Sequence, residues 1–563
     1  MSNQARRALC VWLPLGIGWP WPLCAAGVEP AKRGSWEDIW RREAISVRDH
    51  GAPADGLTDA TSAVRRADAA AQGRPLLFPP GKYLITSSHA FVSAVVMMPG
   101  ALIQVVDPRV WLRFAAGFQA GLQPCLDTDG PTQFLAIEKI HPQWFGPCGL
   151  DGVDSTQALT RALRACRAAD HAGTSTPDAS LGCHTVYLTF GKYRCNDVPV
   201  YCGTHLVGEI EGSLHNALIQ QIDRNRPALL ICPKNYALDG RTVNNGVGQN
   251  SFTTLGLRSE SIADSLENAP IVRFLSPAQA TEWLNMPGDS AGKVGHIDTI
   301  FQRTWWKDSA GSCIGCDDGV MTIHIRDSTF DVVRRAVRYA GNASGILRSY
   351  NNIYYGCIRG AVENVSGSET ASLFYSDNDE YKAGNTNNSN PEYRRAIHWR
   401  PARTVPGSLL RIYNGRFLRT DGLKTRIGGP VFVENVETVE IVEAMFKDPD
   451  SANHQKAIHV GAGVRTLKLT GSIQSDDLGN YRNARLVSIT QATPTLASGR
   501  ISMQFVNNHP RGEIEAAVHS DYPIDGLDLG GSTFRGMMQK QLGLNVRWPR
   551  GYVGSTEGLP QGR

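Results

Sequence analysis

The 563-residue sequence lacks an excess of either charge: 57 Lys and Arg face 53 Asp and Glu, for a net charge of +4. That balance is too mild to imply nucleic acid by itself, and no nucleic-acid partner is expected. After residue 26 no apolar run reaches the ~18 residues that a membrane-spanning helix needs, which argues against stable membrane insertion. Zinc-ligand spacing is also missing. Cys313-Ile-Gly-Cys316 has no second CxxC or HxxxH nearby to complete a tetrahedral site, so no metal site is assigned.

What is abundant is turn chemistry. The chain holds 57 glycines and 31 prolines, with 42% apolar and 20% charged residues. This is the composition of a soluble protein made of many short elements. Arg6 and Arg7 precede an apolar, proline-interrupted run from Leu9 to Cys24, and small residues follow. Residues 1–26 therefore read as a cleavable export signal, 27–43 as a linker and 546–563 as a flexible tail. Export places the protein in the periplasm or outside the cell. Cys10 and Cys24 leave with the signal, and the ten cysteines that remain of twelve are expected to be mainly disulfide-bonded in that oxidising setting.

One pattern occurs twice. The first copy contains Gly51-Ala52, Asp55-Gly56, Thr58-Asp59 and Thr61, then an alanine-rich stretch, and ends in Phe78-Pro79-Pro80-Gly81-Lys82-Tyr83. The second contains Trp144-Phe145-Gly146, Asp151-Gly152 and Asp154-Ser155-Thr156, and ends in Phe190-Gly191-Lys192-Tyr193. Asp-Gly makes a turn, and the acid or hydroxyl that follows caps a helix. Ala63, Val64 and Ala67, and in the second copy Ala158, Leu159, Ala162 and Leu163, mark that helix's apolar face. A helix ahead of stacked strands covers an open sheet edge.

Both copies resemble the N-terminal signature of the pectate-lyase-like superfamily, which includes polygalacturonase-like hydrolases, polysaccharide lyases and tailspike depolymerases. The first copy departs from the pattern at His50 and Ala60; the second has Thr189-Phe190 where the family has Pro-Pro. The resemblance covers about residues 44–210. It implies an all-β, right-handed, single-stranded parallel β-helix with N-terminal helical caps. It also implies a polysaccharide partner, and a monomer or homotrimer.

A looser repeat supports the same architecture farther on. Segments 322–330, 345–353, 372–381, 408–417, 438–446 and 465–473 align with strand-like alternation of apolar and polar residues. The alignment predicts Asn351, Asn378 and Asn414 at equivalent turns. Residues 44–141 are read as a first capping motif with a short β region, and 142–545 as a second motif with the main β-helix.

Stacked coils set acids at multiples of ~4.8 Å, the separations that glycosidic cleavage uses. Asp317 and Asp318, just before a strand, resemble the Asp-Asp pair of polygalacturonase-like hydrolases, although that family's accompanying motifs are not found in order. Asp379 and Glu380 form a second acidic candidate. Between residues 394 and 426 eight arginines and Lys424 face a single acid, Asp421. Such a stretch suits an anionic glycan or pairs with acids such as Glu434 and Glu443 on neighbouring coils. Arg400 and Arg419 are taken from it as substrate-binding residues, with His398 and Trp399 inside the stretch and Trp305 and Trp306 as sugar platforms. The expectation is an exported enzyme degrading an anionic polysaccharide, a glycoside hydrolase ahead of a lyase, with a non-catalytic glycan-binding surface or tailspike-like protein as the other class. No cofactor is expected, Ca2+ entering only if the reaction is elimination.

Overall fold

The computed structural model describes residues 43–542 except 167–183, 202, 212–213, 234–236, 239–240, 243–248, 260–267, 285–297, 310, 358–359, 384–395, 420–430, 448–456, 476–481, 491–494, 508–512, 523, 525–526 and 537. The expected signal, linker and tail lie outside these residues.

Residues 45–134 wind into three short parallel sheets of four, four and three strands. Helix α1 (Thr61–Ala71) packs on them with Ala63, Val64 and Ala67 buried. Its first turn is capped from Asp59, whose Oδ1 accepts the Thr61 N–H at 2.9 Å. Asp68 on the buried face is less foreseeable. Its carboxylate accepts the Val92 and Ser93 N–H groups and meets His89 Nε2, each at 3.1 Å. Burial alone would raise its pKa, but these bonds outweigh burial and lower it. The second copy repeats the device. Helix α2 (Thr156–Ala165) is capped by Asp154 and buries Ala158, Leu159, Ala162 and Leu163. Gly191, with φ +148°, allows its strand to close on the turn before it, because a Cβ there would sit 2.0 Å from the Gly149 carbonyl oxygen.

From Thr185 onward one ladder of 31 strands is parallel throughout, the architecture of a right-handed parallel β-helix. Each coil supplies one strand to each of three flanks. On the first flank Val272, Ile314, Val337, Val362, Ile397 and Val431 stand in register. On the second, Ile323, Leu347, Phe374 and Leu410 do so. These residues point inward and are fully buried. The two-residue strand period fills a continuous core and turns the alternate positions outward.

On the third flank the inward row is aromatic. Trp306, Phe330, Tyr354, Tyr381, Phe417 and Phe446 stack with centroid separations of 5.5, 4.9, 4.9, 4.8 and 4.5 Å. Coil spacing brings the rings into nearly parallel stacks, at separations that offset aromatic pairs favour. Trp306 is part of this stack and has no exposed surface, so its expected role as a sugar platform is corrected.

Asn351, Asn378 and Asn414 occupy equivalent turns, as the repeat predicts, with φ of 56°, 55° and 50°. Asn tolerates this left-handed conformation better than most residues. Each side chain donates to its neighbour: Asn378 Nδ2 to Asn351 Oδ1 at 3.1 Å, and Asn414 Nδ2 to Asn378 Oδ1 at 3.2 Å.

The cysteine expectation is corrected. Cys125, Cys148, Cys195, Cys313, Cys316 and Cys357 carry unpaired thiols. All but Cys357 are buried. They fill the core as small apolar side chains. Burial raises their pKa, to about 12 for Cys148 and Cys316, which keeps these thiols protonated.

Candidate functional site

The outward row of the first flank runs, in register, Arg273, Gly315, Arg338, Glu363, His398, Phe432 and His459. Alternation with the buried valines and isoleucines turns these side chains out, and the ladder sets them ~4.8 Å apart. Long connections enter this flank, from Ala383 to Ile397, Arg419 to Val431 and Lys447 to Ile458.

Gly315 interrupts the row and leaves a recess between two arginines. A cleft of about 290 Å³ opens there, lined by Asn268, Pro270, Arg273, Asp317 and Arg338 among others. A Cβ at Gly315 would come within 2.9 Å of Pro270, so a larger residue would close the recess. Asp317 follows Cys316 at a register shift in the strand, and its side chain is 39% exposed. Its carboxylate accepts a charged hydrogen bond from Arg273. The same guanidinium lies 4.6 Å from the ring centroid of Trp283, on helix α3 (Pro277–Leu284). Trp283 is 41% exposed, so an aromatic surface, two arginines and an open carboxylate meet at one place.

Sequence reasoning had missed Trp283, Arg273, Arg338 and Glu363. Trp283 sits in an insertion between repeat units and carries no repeat signal. The others become neighbours only through the ladder register.

Along the row the site becomes enclosed. Glu363, only 7% exposed, is reached by Arg335 Nε at 2.7 Å, Arg338 Nε at 3.1 Å and His398 Nδ1 at 3.4 Å. Burial would raise its pKa, but the histidine bond and the two arginines outweigh burial and lower it. His398 Nε2 is buried without a hydrogen-bond partner among the described residues. Phe432 meets His398 edge-on at 5.4 Å and lies flat on His459 at 4.2 Å. Glu434 stands between Arg400 Nε, at 2.6 Å, and His459 Nε2, at 3.7 Å. It folds across Gly461, where a Cβ would fall 2.2 Å from its Cγ.

The structure sorts the candidate residues by flank. Asp317, Asp318, His398 and Arg400 belong to the first flank. Asp318 is half-buried and pairs across the ladder with Asn342. Glu380 is on the third flank, in a separate cleft of about 300 Å³ with Asp327, Asn351, Asn378 and Arg416, and pairs with Lys382 at 2.5 Å. The acids expected to act together are therefore divided between flanks. Half-buried Trp305 is also on the third flank, with Lys307 Nζ 5.2 Å from its ring centroid. The Arg419 backbone belongs to that flank, and its side chain lies outside the described residues.

Two further expectations are overturned by burial. Trp399 points inward, stacked on Phe374 at 5.4 Å, with no exposed surface to offer a sugar. Asp379 is likewise fully buried. Its Oδ1 accepts from the Asn352 backbone N–H at 2.8 Å and from Asn352 Nδ2 at 3.1 Å, while Oδ2 accepts from Ser376 at 2.7 Å. Asp379 ends an internal polar ladder that runs Thr304, Ser328, Asn352. It cannot reach a glycan. Within the basic stretch, Arg400, Arg403 and Arg411 pair with Glu434, Glu369 and Glu440 on neighbouring coils. Arg394, Arg395 and Arg426 lie outside the described residues.

No protein-family model matches the sequence, and no curated protein is similar to it in sequence. Among solved structures, the chain is similar to the catalytic domain of a GH87 alpha-1,3-glucanase in complex with nigerose. The TM-score is 0.42 at 10% identity, covering 70% of this chain and 67% of the other. It is similar to bacteriophage CBA120 tailspike protein 3 at a TM-score of 0.40 and 10% identity, covering 75% and 62%. The Streptococcus pneumoniae surface protein and adhesin PfbA follows at 0.23 and 11%, covering 88% and 100%. Likeness this distant carries no functional argument; the fold rests on the parallel ladder itself.

Proposed function

We propose that this protein is an exported enzyme that cleaves an anionic polysaccharide, by hydrolysis, in the cleft of the first flank. The observation that carries this reading is the meeting of Asp317, Arg273 and exposed Trp283 around the recess at Gly315. Trp283 offers a face for a pyranose ring. In this reading the N–H groups of Arg273 and Arg338 that are not engaged by Asp317 and Glu363 hold a uronate carboxylate. Asp317, held by Arg273, takes the role of base or nucleophile, and Asp318 across the register shift that of general acid. Export is inferred from the first 26 residues. No helix among the described residues is long and apolar enough to cross a membrane.

β-Elimination is the second reading, and His398 favours it. Glu363 holds Nδ1 and Nε2 carries no other bond among the described residues, so Nε2 is the base for the C5 proton of a uronate in this reading, which requires substrate binding to uncover that buried atom. Arg335 and Arg338 beside it would supply the positive charge that stabilises the resulting carbanion. Calcium does not fit this row. Its carboxylates are taken by arginines, and among the described residues no three acid, histidine or cysteine side chains converge.

Digestion of a panel of acidic and neutral polysaccharides separates the readings. New reducing ends without an ultraviolet-absorbing product mean hydrolysis. An absorbing unsaturated product means elimination, and no new ends from any polymer leave a binding protein. On a polymer that is hydrolysed, Asp317→Asn should lower kcat at least ~100-fold with folding intact. Trp283→Ala should act mainly on KM. Normal turnover by Asp317→Asn would remove the cleft from the reaction.

A further inference from the structure

The second flank carries a pattern that the proposed reaction does not use. Its outward side chains form two adjacent rows, two residues apart along the strands. One row runs Arg348, Tyr375, Arg411 and Glu440; the other runs Arg326, Tyr350, Asp377 and Tyr413. Rings alternate with charged groups from coil to coil: Tyr375 lies between Arg348 and Arg411 in the first row, and the exposed acid Asp377 lies between Tyr350 and Tyr413 in the second.

The contacts are regular. Arg348 and Arg411 flank the Tyr375 ring from the coils on either side, at 5.9 and 6.0 Å from its centroid, and Arg326 stands 5.9 Å from that of Tyr350. Tyr413 is 44% exposed, and the Arg411 side chain 47%. Arg411 is satisfied by Glu440 at 2.6 Å. Arg326 and Arg348 have no carboxylate partner among the described residues.

Support of the fold does not account for these rings. The aromatic packing that stabilises the coils runs inside the third flank, and a solvated outer row gains little from tyrosine. A tyrosine does offer a rigid face with a polar tip, ordered at low entropic cost. Arg326 and Arg348, unmatched by acid at the head of the two rows, complement carboxylates on a chain whose sugars follow one another at about the coil spacing, while Asp377 between Tyr350 and Tyr413 bars a carboxylate from that position.

We infer that this strip is a second binding site, which holds a carboxylated polysaccharide parallel to the coil axis. Its pyranose rings lie against Tyr350 and Tyr413, its uronate carboxylates face Arg326 and Arg348, and Tyr375, covered by Arg348 and Arg411, holds those guanidinium groups in place. The strip shares the substrate class of the proposed reaction but none of its residues, and serves to keep a long polymer on the protein while the first flank acts. A chain held on two flanks dissociates more slowly than one held at either alone.

The test is electrophoresis of the full-length protein through native gels containing polygalacturonate, alginate or hyaluronan, with dextran as the neutral control. Wild type should be retarded by at least one carboxylated polymer and not by dextran. A Trp283→Ala, Arg338→Ala protein, with the cleft weakened, should keep a salt-sensitive part of that retardation. Adding Arg326→Gln and Arg348→Gln should lower the remaining affinity at least ~10-fold, as should Tyr375→Ala. Unchanged thermal melting of each variant would show that folding is not the cause, and Arg326→Lys with Arg348→Lys, which keeps the charge, should recover part of the binding. The inference is overturned if no carboxylated polymer retards wild type, if the cleft substitutions alone abolish retardation, or if the strip variants bind like their parent. Retardation through the strip with no polymer cleaved would leave the strip standing and remove the proposed reaction.

Discussion

Replacing Asp379 by asparagine tests whether this acid is structural or catalytic. Burial raises its pKa to about 6, against the bonds from Ser349, Ser376 and Asn352 that pull it down. An aspartate ordinarily titrates near ~3.9. The folded protein thus holds this proton about two pH units longer than the unfolded chain, which corresponds to about 3 kcal/mol. Because the native state binds the extra proton, wild-type stability falls as pH rises from about 4 to about 6, and the loss persists above that range. Asparagine keeps an oxygen for both Asn352 donors and presents an amide to the Ser376 hydroxyl, which can rotate to accept. In urea unfolding at a series of pH values, Asp379→Asn should lose this decline relative to wild type and be no less stable at neutral pH. Asp379→Ala should instead cost about 1–3 kcal/mol, because the buried Asn352 N–H loses its acceptor. Both should retain turnover on any polymer the wild type cleaves. Parallel stability curves for wild type and Asp379→Asn would refute the argument, and a ~100-fold loss of turnover at unchanged stability would return the carboxyl to catalysis.

Two other outcomes follow from the ladders. Thiol titration in denaturant, without reductant, should find at least the six described unpaired cysteines reactive; two or fewer would restore a disulfide framework. Asn378→Ala should lower stability by about 1–2 kcal/mol, since alanine loses both side-chain bonds of the turn and is strained at φ 55°. Asn378→Gly should recover part of that in the same melting experiment, and an alanine variant as stable as wild type would show that the turn ladder contributes nothing.

The architecture was legible in the chain because its causes are local. The Asp-Gly turns with their capping acids announced α1 and α2, and the two-residue alternation announced the strands. Asn351, Asn378 and Asn414 aligned because a left-handed turn selects asparagine over most residues wherever it occurs. The same reading misplaced Asp379, Trp306 and Trp399. A one-residue difference in a strand decides whether a side chain enters the core or faces water, and an acid after a turn asparagine reads as solvated unless the neighbouring coil is known to supply its donors. The cysteines misled for a related reason, since a count cannot distinguish a pair from separate small core residues. The site depended wholly on the tertiary structure. Arg273, Asp317, Arg338 and Glu363 are spread over 91 residues of chain and become neighbours only because successive coils stack. Trp283 reaches them from an insertion that belongs to no repeat. Periodicity along the chain determines which elements form; which side chains meet is settled by the register between coils, and that depends on the length of every connection between them.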